Sequence, residues 1–150
     1  MMEAANKGAH EAGGKSIGLG ISLPFEQGVN EFASPELSFE FHYFFVRKFY
    51  FLYHAKALIV FPGGFGTMDE LWEAMSWAEL GYHDNPVGLL NAFGFYDELI
   101  AFNSKMAQVG FVRPVHQNIL VHDTALAGLI DKMASYEPHT PIFQMKADDL

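Results

Sequence analysis

At 150 residues with a formal net charge of −9, the chain is long enough for one domain with a real core. It is too acidic for a general nucleic-acid binder, which needs a basic face, whereas a small phosphorylated ligand needs only local positive charge. Half the residues are hydrophobic and fifteen are Phe, which excludes disorder, and the lack of cysteine excludes disulfides, thiolate catalysis and zinc–thiolate sites.

Residues 3–11 read as a helix ended by Gly13 and Gly14, with Ala4, Ala5, Gly8, Ala9 and Ala12 forming a small-residue face suited to packing on a sheet. No signal-peptide pattern marks this start, and the apolar region 39–61 is interrupted by Glu40, Arg47, Lys48 and Lys56, so it is a poor membrane span. The expectation is a cytoplasmic protein. Residues 16–23 read as a strand, with Ile17, Leu19, Ile21 and Leu23 alternating with small residues until Pro24 breaks it. The loop over 24–35 is long enough to suggest a functional or interface role. It carries Glu26, whose plain reading is a solvated carboxylate.

Residues 37–54 read as one long helix, because Phe41, Phe44, Phe45, Phe49 and Leu52 recur at helical spacing. Phe39 and Phe51 fall outside that stripe, so the helix is apolar nearly all round and is either central or buried against a second subunit. Arg47 and Lys48 are the charges in its middle. A cation there wants an anion, and the planar fork of Arg suits phosphate or ribose oxygens. A structural ion pair or a side chain reaching out to water is the plainer alternative.

Residues 58–61 form a short apolar run, as expected for a strand covered on both faces, and Pro62 ends it. Gly63, Gly64 and Gly66 follow, permitting close approaches that a Cβ would block. Thr67 reads as the cap of the next helix, with Glu70 at the capping-box position. Such a junction binds anions through free N–H groups and the helix dipole; a tight strand-to-helix turn explains it too. It is neither a P-loop nor a dinucleotide fingerprint in its usual spacing. Along the helix over 67–81, Met68, Leu71, Trp72, Met75 and Ala78 make the apolar side, while Glu70, Glu73 and Trp77 share a stripe. Two carboxylates near a phosphate loop suit acid–base work or support of an oxocarbenium-like transition state. The plainer alternatives are the cap for Glu70 and an exposed acid for Glu73.

A turn at His83, Asp84 and Asn85 leads to a strand over 86–90, a helix over 95–109, a strand over 118–122 and a helix over 124–134 capped near Asp123. From Pro138 the tail is polar and expected to be loose. The seven histidines lack metal-site spacing and read as surface or core residues, so no metal is expected. Strands separated by helices must run parallel. The expected fold is therefore an α/β three-layer Rossmann-like parallel sheet with helices on both faces, one domain over 1–137 and a tail over 138–150.

Residues 62–70, Pro-Gly-Gly-Phe-Gly-Thr-Met-Asp-Glu, resemble the PGGxGTxxE motif of the LONELY GUY proteins, which are cytokinin riboside 5′-monophosphate phosphoribohydrolases long labelled lysine decarboxylases. Arg47 and Lys48 stand at the distance of that family's upstream Arg-Lys pair, and residues 77–83 and 86–91 are also similar. The resemblance covers roughly Met2 to Val112. Relative to the family, the chain begins just after the first strand-and-helix unit and its nucleotide-touching glycine turn, so it reads as truncated, with the first βα unit missing.

The resemblance further implies hydrolysis of the N-glycosidic bond of a nucleoside 5′-monophosphate, a cytokinin riboside 5′-monophosphate or AMP, giving base and ribose 5-phosphate. Gly63, Gly64, Phe65, Gly66 and Thr67 would hold the 5′-phosphate, with Met68 and Asp69 completing the binding motif. Glu70 would stabilise the oxocarbenium ion or activate water, and Arg47 would orient the ribose, joined by Lys48. Glu26 stands where the family has a substrate-contacting acid, and Ser76 where it has a nucleotide-contacting Thr. No metal or redox cofactor is implied, and no lysine has the setting that pyridoxal phosphate chemistry needs. The implied assembly is a homodimer. A binding or oligomerisation module without turnover is the competing reading.

Overall fold

A computed structural model describes residues 2–21 and 29–144. The chain falls into two compact units, Met1–His54 and Ala55–Leu150, a division that the expectation of one domain did not mark. Every paired strand is parallel and helices flank the sheets, which is the expected Rossmann-like α/β class.

In the first unit, α1 (Met2–Glu11) ends where Gly14 N–H bonds Ala9 O at 2.8 Å, with Gly13 at φ 72°. The helix forms as its sequence predicts, but it buries none of its residues, so the small-residue face is not packed as expected. Strand β1 (Gly18–Ile21) pairs in parallel with β2 (Ser38–Phe41). A Cβ on Gly18 would lie 3.1 Å from Ala33 Cβ, so the glycine admits the segment that leads to β2. Helix α2 (Phe44–His54) follows.

Residues 37–54 are thus not one helix. Ser38, Phe39, Glu40 and Phe41 alternate polar and aromatic, a period of two that fits a strand, and pairing with β1 decides the matter. Phe41 fits the helical stripe and the strand alternation alike, so the helical count could not separate the two. Of α2, only Leu52 is buried.

In the second unit, β3 (Leu58–Val60), β4 (Val87–Leu90) and β5 (Leu120–Asp123) form a parallel sheet in that order. Strand β3 lies at an edge and leaves Ile59 38% exposed, so it is not covered on both faces as its apolar run suggested. Central β4 carries Val87 and Leu89, both fully buried. Helix α3 (Phe65–Leu80) buries Leu71, Ala74, Met75 and Ala78, the i, i+3, i+4, i+7 stripe of an amphipathic helix. Helix α5 (Leu126–Ala134) buries Leu129 and Met133. A Cβ on Gly88 would stand 3.2 Å from Leu129 Cδ1, so the glycine lets α5 lie close on β4. Helix α4 (Asp97–Gln108) completes the unit.

Helix α3 ends at Gly81 in a left-handed conformation, φ 92°. Beyond it, His83 Nε2 meets Ala74 O at 2.9 Å, and Asn85 Nδ2 donates to Ala55 O at 3.0 Å. The turn at 83–85 therefore ties the end of α3 to the approach to β3. The segment from Pro138, expected to be loose, is held through residue 141: His139 Nε2 meets Ala78 O at 3.0 Å, His116 Nε2 meets Thr140 O at 3.0 Å, and Pro141 packs against Gly81. None of the described helices is long and apolar enough to cross a membrane.

Candidate active site

The glycine loop stands at the carboxyl end of β3, and the structure corrects how it is built. The N-cap of α3 is Gly64, not Thr67, and no side chain makes a cap bond. Glu70 is therefore six residues past the cap, and the capping-box reading of Thr67 and Glu70 does not hold. Glycine ends the loop by backbone conformation, which the side-chain rule for caps cannot see.

The first bond within the helix runs from Met68 N–H to Gly64 O at 3.0 Å. The N–H groups of Phe65, Gly66 and Thr67 consequently have no acceptor within the helix, and they share the positive end of a sixteen-residue dipole. A Cβ built on Gly64 or Gly66 meets nothing within 4 Å, so open space lies over both. Gly63 differs: its Cβ would lie 2.8 Å from Thr67 Cβ, so the Thr67 side chain folds back over the loop. Phe65 is 97% exposed.

Glu70 and Glu73 are half-buried on α3, Met68 is half-buried, and Asp69 and Ser76 are exposed. Glu70 lies five residues along from Phe65, about 7.5 Å of axial rise. The structure thus brings Gly63, Gly64, Phe65, Gly66, Thr67, Met68, Asp69, Glu70 and Ser76 onto one loop and helix.

In the first unit, Arg47 and Lys48 are half-buried on α2. Arg47 Nε donates to Leu19 O at 2.7 Å, and its guanidinium carbon stands 5.9 Å from the Phe44 ring centre and 5.7 Å from that of Phe51. Aromatic faces and a strand carbonyl orient this cation. Glu26 lies outside the described residues. No group of three or more His, Asp or Glu among the described residues is disposed to hold a metal ion.

Two residues escaped the sequence reading. Tyr96 is 3% exposed, and its hydroxyl donates to Phe61 O at 2.7 Å, at the root of the glycine loop. Asn91 is buried after β4; its Oδ1 accepts from Tyr96 N–H at 2.7 Å and its Nδ2 donates to Asp97 Oδ1 at 2.7 Å. The only prior signal was their place after a strand, where open α/β sheets gather ligand contacts.

Fold and loop define a Rossmann-like α/β protein with a helix start suited to an anion. A family model described as "Possible lysine decarboxylase" matches residues 2–133, and the chain belongs to that family. Its relatives bear out the resemblance to the LONELY GUY proteins. The chain is 42% identical over 92 residues to cytokinin riboside 5′-monophosphate phosphoribohydrolase LOG1 of Arabidopsis thaliana, covering 61% of this chain and 43% of the relative. It is 34% identical over 140 residues to cytokinin riboside 5′-monophosphate phosphoribohydrolase LOG5 of the same plant, covering 92% of this chain and 60% of the relative. The chain spans about half the length of these relatives.

Proposed function

We propose that this chain hydrolyses the N-glycosidic bond of a nucleoside 5′-monophosphate, of the cytokinin riboside 5′-monophosphate or AMP type. Water supplies a hydroxyl to C1′ and a proton to the departing base, giving free base and ribose 5-phosphate. The observation that carries this reading is the start of α3. Three N–H groups without an acceptor in the helix face open space over Gly64 and Gly66, with Glu70 placed further along the same helix. The names of the relatives, which describe this reaction, support it.

In this reading Phe65, Gly66 and Thr67 bind the 5′-phosphate through backbone N–H groups, with Gly63, Gly64, Met68 and Asp69 shaping the loop. The Glu70 carboxylate faces the sugar, where it stabilises positive charge developing at C1′ or takes a proton from water. Arg47, assisted by Lys48, orients the ribose; Glu26 and Ser76 contact the nucleotide. The reading includes a cytoplasmic setting and a homodimer. The exposed aromatic surface of α2, with Phe45 70% and Tyr53 70% exposed, supports the dimer.

The test is incubation with AMP, with base and ribose 5-phosphate quantified by chromatography. Equal amounts of the two products support the hydrolase. Binding of AMP without either product, from a folded sample, contradicts it and supports a binding module.

A further inference from the structure

We infer that Tyr96 is a positioning residue for the phosphate loop: its buried hydroxyl clasps the loop root through Phe61 O and so fixes the direction of the α3 N–H groups. The inference rests on the proposed reading of that loop as the 5′-phosphate site.

Residues 61–64 join β3 to α3 through Pro62 and two glycines, a sequence with little intrinsic stiffness after the proline. Phosphate binding needs donors already aimed, because a floppy loop would lose entropy on each binding event. The α3 end is stiff, since Met68 N–H bonds Gly64 O and the helix continues for sixteen residues. The β3 end is edge-strand backbone, and there the hydroxyl of Tyr96 takes hold.

The hydroxyl donates to Phe61 O at 2.7 Å. Burial, the larger effect, keeps the phenol above its ordinary value against a smaller opposing pull from the Gly63 backbone. The phenol is therefore protonated at neutral pH and keeps its donor. The Phe61 carbonyl, whose negative end would repel a phosphate, is held in a hydrogen bond just before Pro62.

Tyr96 is itself braced. Asn91 Oδ1 accepts from Tyr96 N–H, and Asn91 Nδ2 holds Asp97 Oδ1, each at 2.7 Å. Between them Phe93 sits at φ 57°, an uncommon conformation for a bulky residue, and is fully exposed. A strained turn retained with an exposed Phe is held by the bonds around it. Here they place the Tyr96 ring under the loop of the neighbouring strand.

The experiment compares the full chain with Tyr96→Phe, which removes one oxygen and keeps the ring. Inorganic phosphate and AMP are titrated while the backbone amide signals of Phe65, Gly66 and Thr67 are followed by NMR, and KM and kcat are measured for AMP. The inference expects these amides to respond to phosphate in the wild type. It expects affinity for phosphate and AMP to fall about five- to tenfold in Tyr96→Phe, the size of one net hydrogen bond. KM should rise by the same factor while kcat stays within about twofold, a split that loss of folded protein alone does not produce.

Equal phosphate responses in the two proteins overturn the Tyr96 role and leave the phosphate reading standing. No response in the wild type overturns both. Weakened binding in the variant, with no base released by either protein, upholds the clasp and removes the hydrolase. A lower melting temperature in the variant with unchanged affinity and KM overturns the inference in favour of a structural tyrosine.

Discussion

His116 Nδ1 stands 3.1 Å from Glu79 Oε1, and the imidazole side chain is wholly buried while the carboxylate is 29% exposed. The other ring nitrogen meets Thr140 O at 3.0 Å, so both ring nitrogens are engaged by oxygens. This pair anchors the segment after α5 to the end of α3. Replacing His116 by Ala removes both bonds and opens a cavity, and should destabilise the chain by about 2–4 kcal/mol. Glu79→Gln keeps an acceptor and should lose only about 1 kcal/mol. Urea unfolding of the two variants checks this; equal losses would contradict the geometry.

Acid should destabilise the fold through two other histidines. Burial holds His83 below the ordinary histidine value, against the smaller pulls of Ala74 O and Asp84. Burial likewise lowers His139; the Ala78 carbonyl opposes it, His116 and His83 reinforce it, and Glu79 opposes it. In the unfolded chain both titrate near about 6.5. Between that value and the lower folded one, the unfolded state binds more protons, so stability rises with pH. This contribution is complete above about pH 6.5 and is lost as pH falls through the folded values. Thermal midpoints taken from about pH 8 down to about pH 5 should fall, and His139→Gln should flatten the slope. An unchanged slope in the variant would rule His139 out.

Gly63 and Gly66 should respond differently to alanine. At Gly66 the new methyl meets open space within the first turn of α3, so stability should hold or rise by about 0.5–1 kcal/mol. The same methyl would stand where the anion approaches, and AMP affinity should drop. At Gly63 the methyl would press on Thr67, so stability and affinity should fall together. Melting curves with and without AMP distinguish the two. A Gly66→Ala protein that binds AMP normally would show that the ligand lies elsewhere.

Glu70→Gln separates chemistry from capping. Because Gly64 caps α3 with no side-chain bond, Glu70 has no part in a capping box. The variant should therefore stay within about 1 kcal/mol of the parent in stability. Its turnover of AMP should fall by a factor on the order of 10²–10⁴, the span of a positioned acid or base. Large destabilisation with residual turnover would assign Glu70 a structural role instead.

These residues also show where sequence reasoning reaches and where it stops. The passage from β3 through the glycines into α3 was legible, because an apolar run, a proline and three glycines are local signals. The parallel strands over β4 and β5 were legible for the same reason. Strand β2 was not, since Phe41 satisfies helical and strand spacing alike, and its partner β1 lies about twenty residues away. Thr67 was misread as a cap because a glycine cap leaves no side-chain trace. Tyr96 was invisible because its bond to Phe61 spans 35 positions, and no pattern in either segment announces it. The docking of Thr140 on His116 is hidden in the same way.

In the proposed function the loop at the start of α3 reads a 5′-phosphate and the chain then cleaves the glycosidic bond beside it. The most direct measurement is release of free base from AMP and from isopentenyladenosine 5′-monophosphate, set against the same two nucleosides without phosphate. Base released from the monophosphates and not from the nucleosides is the predicted result. Equal release from both, or none from either by a folded sample, would contradict it.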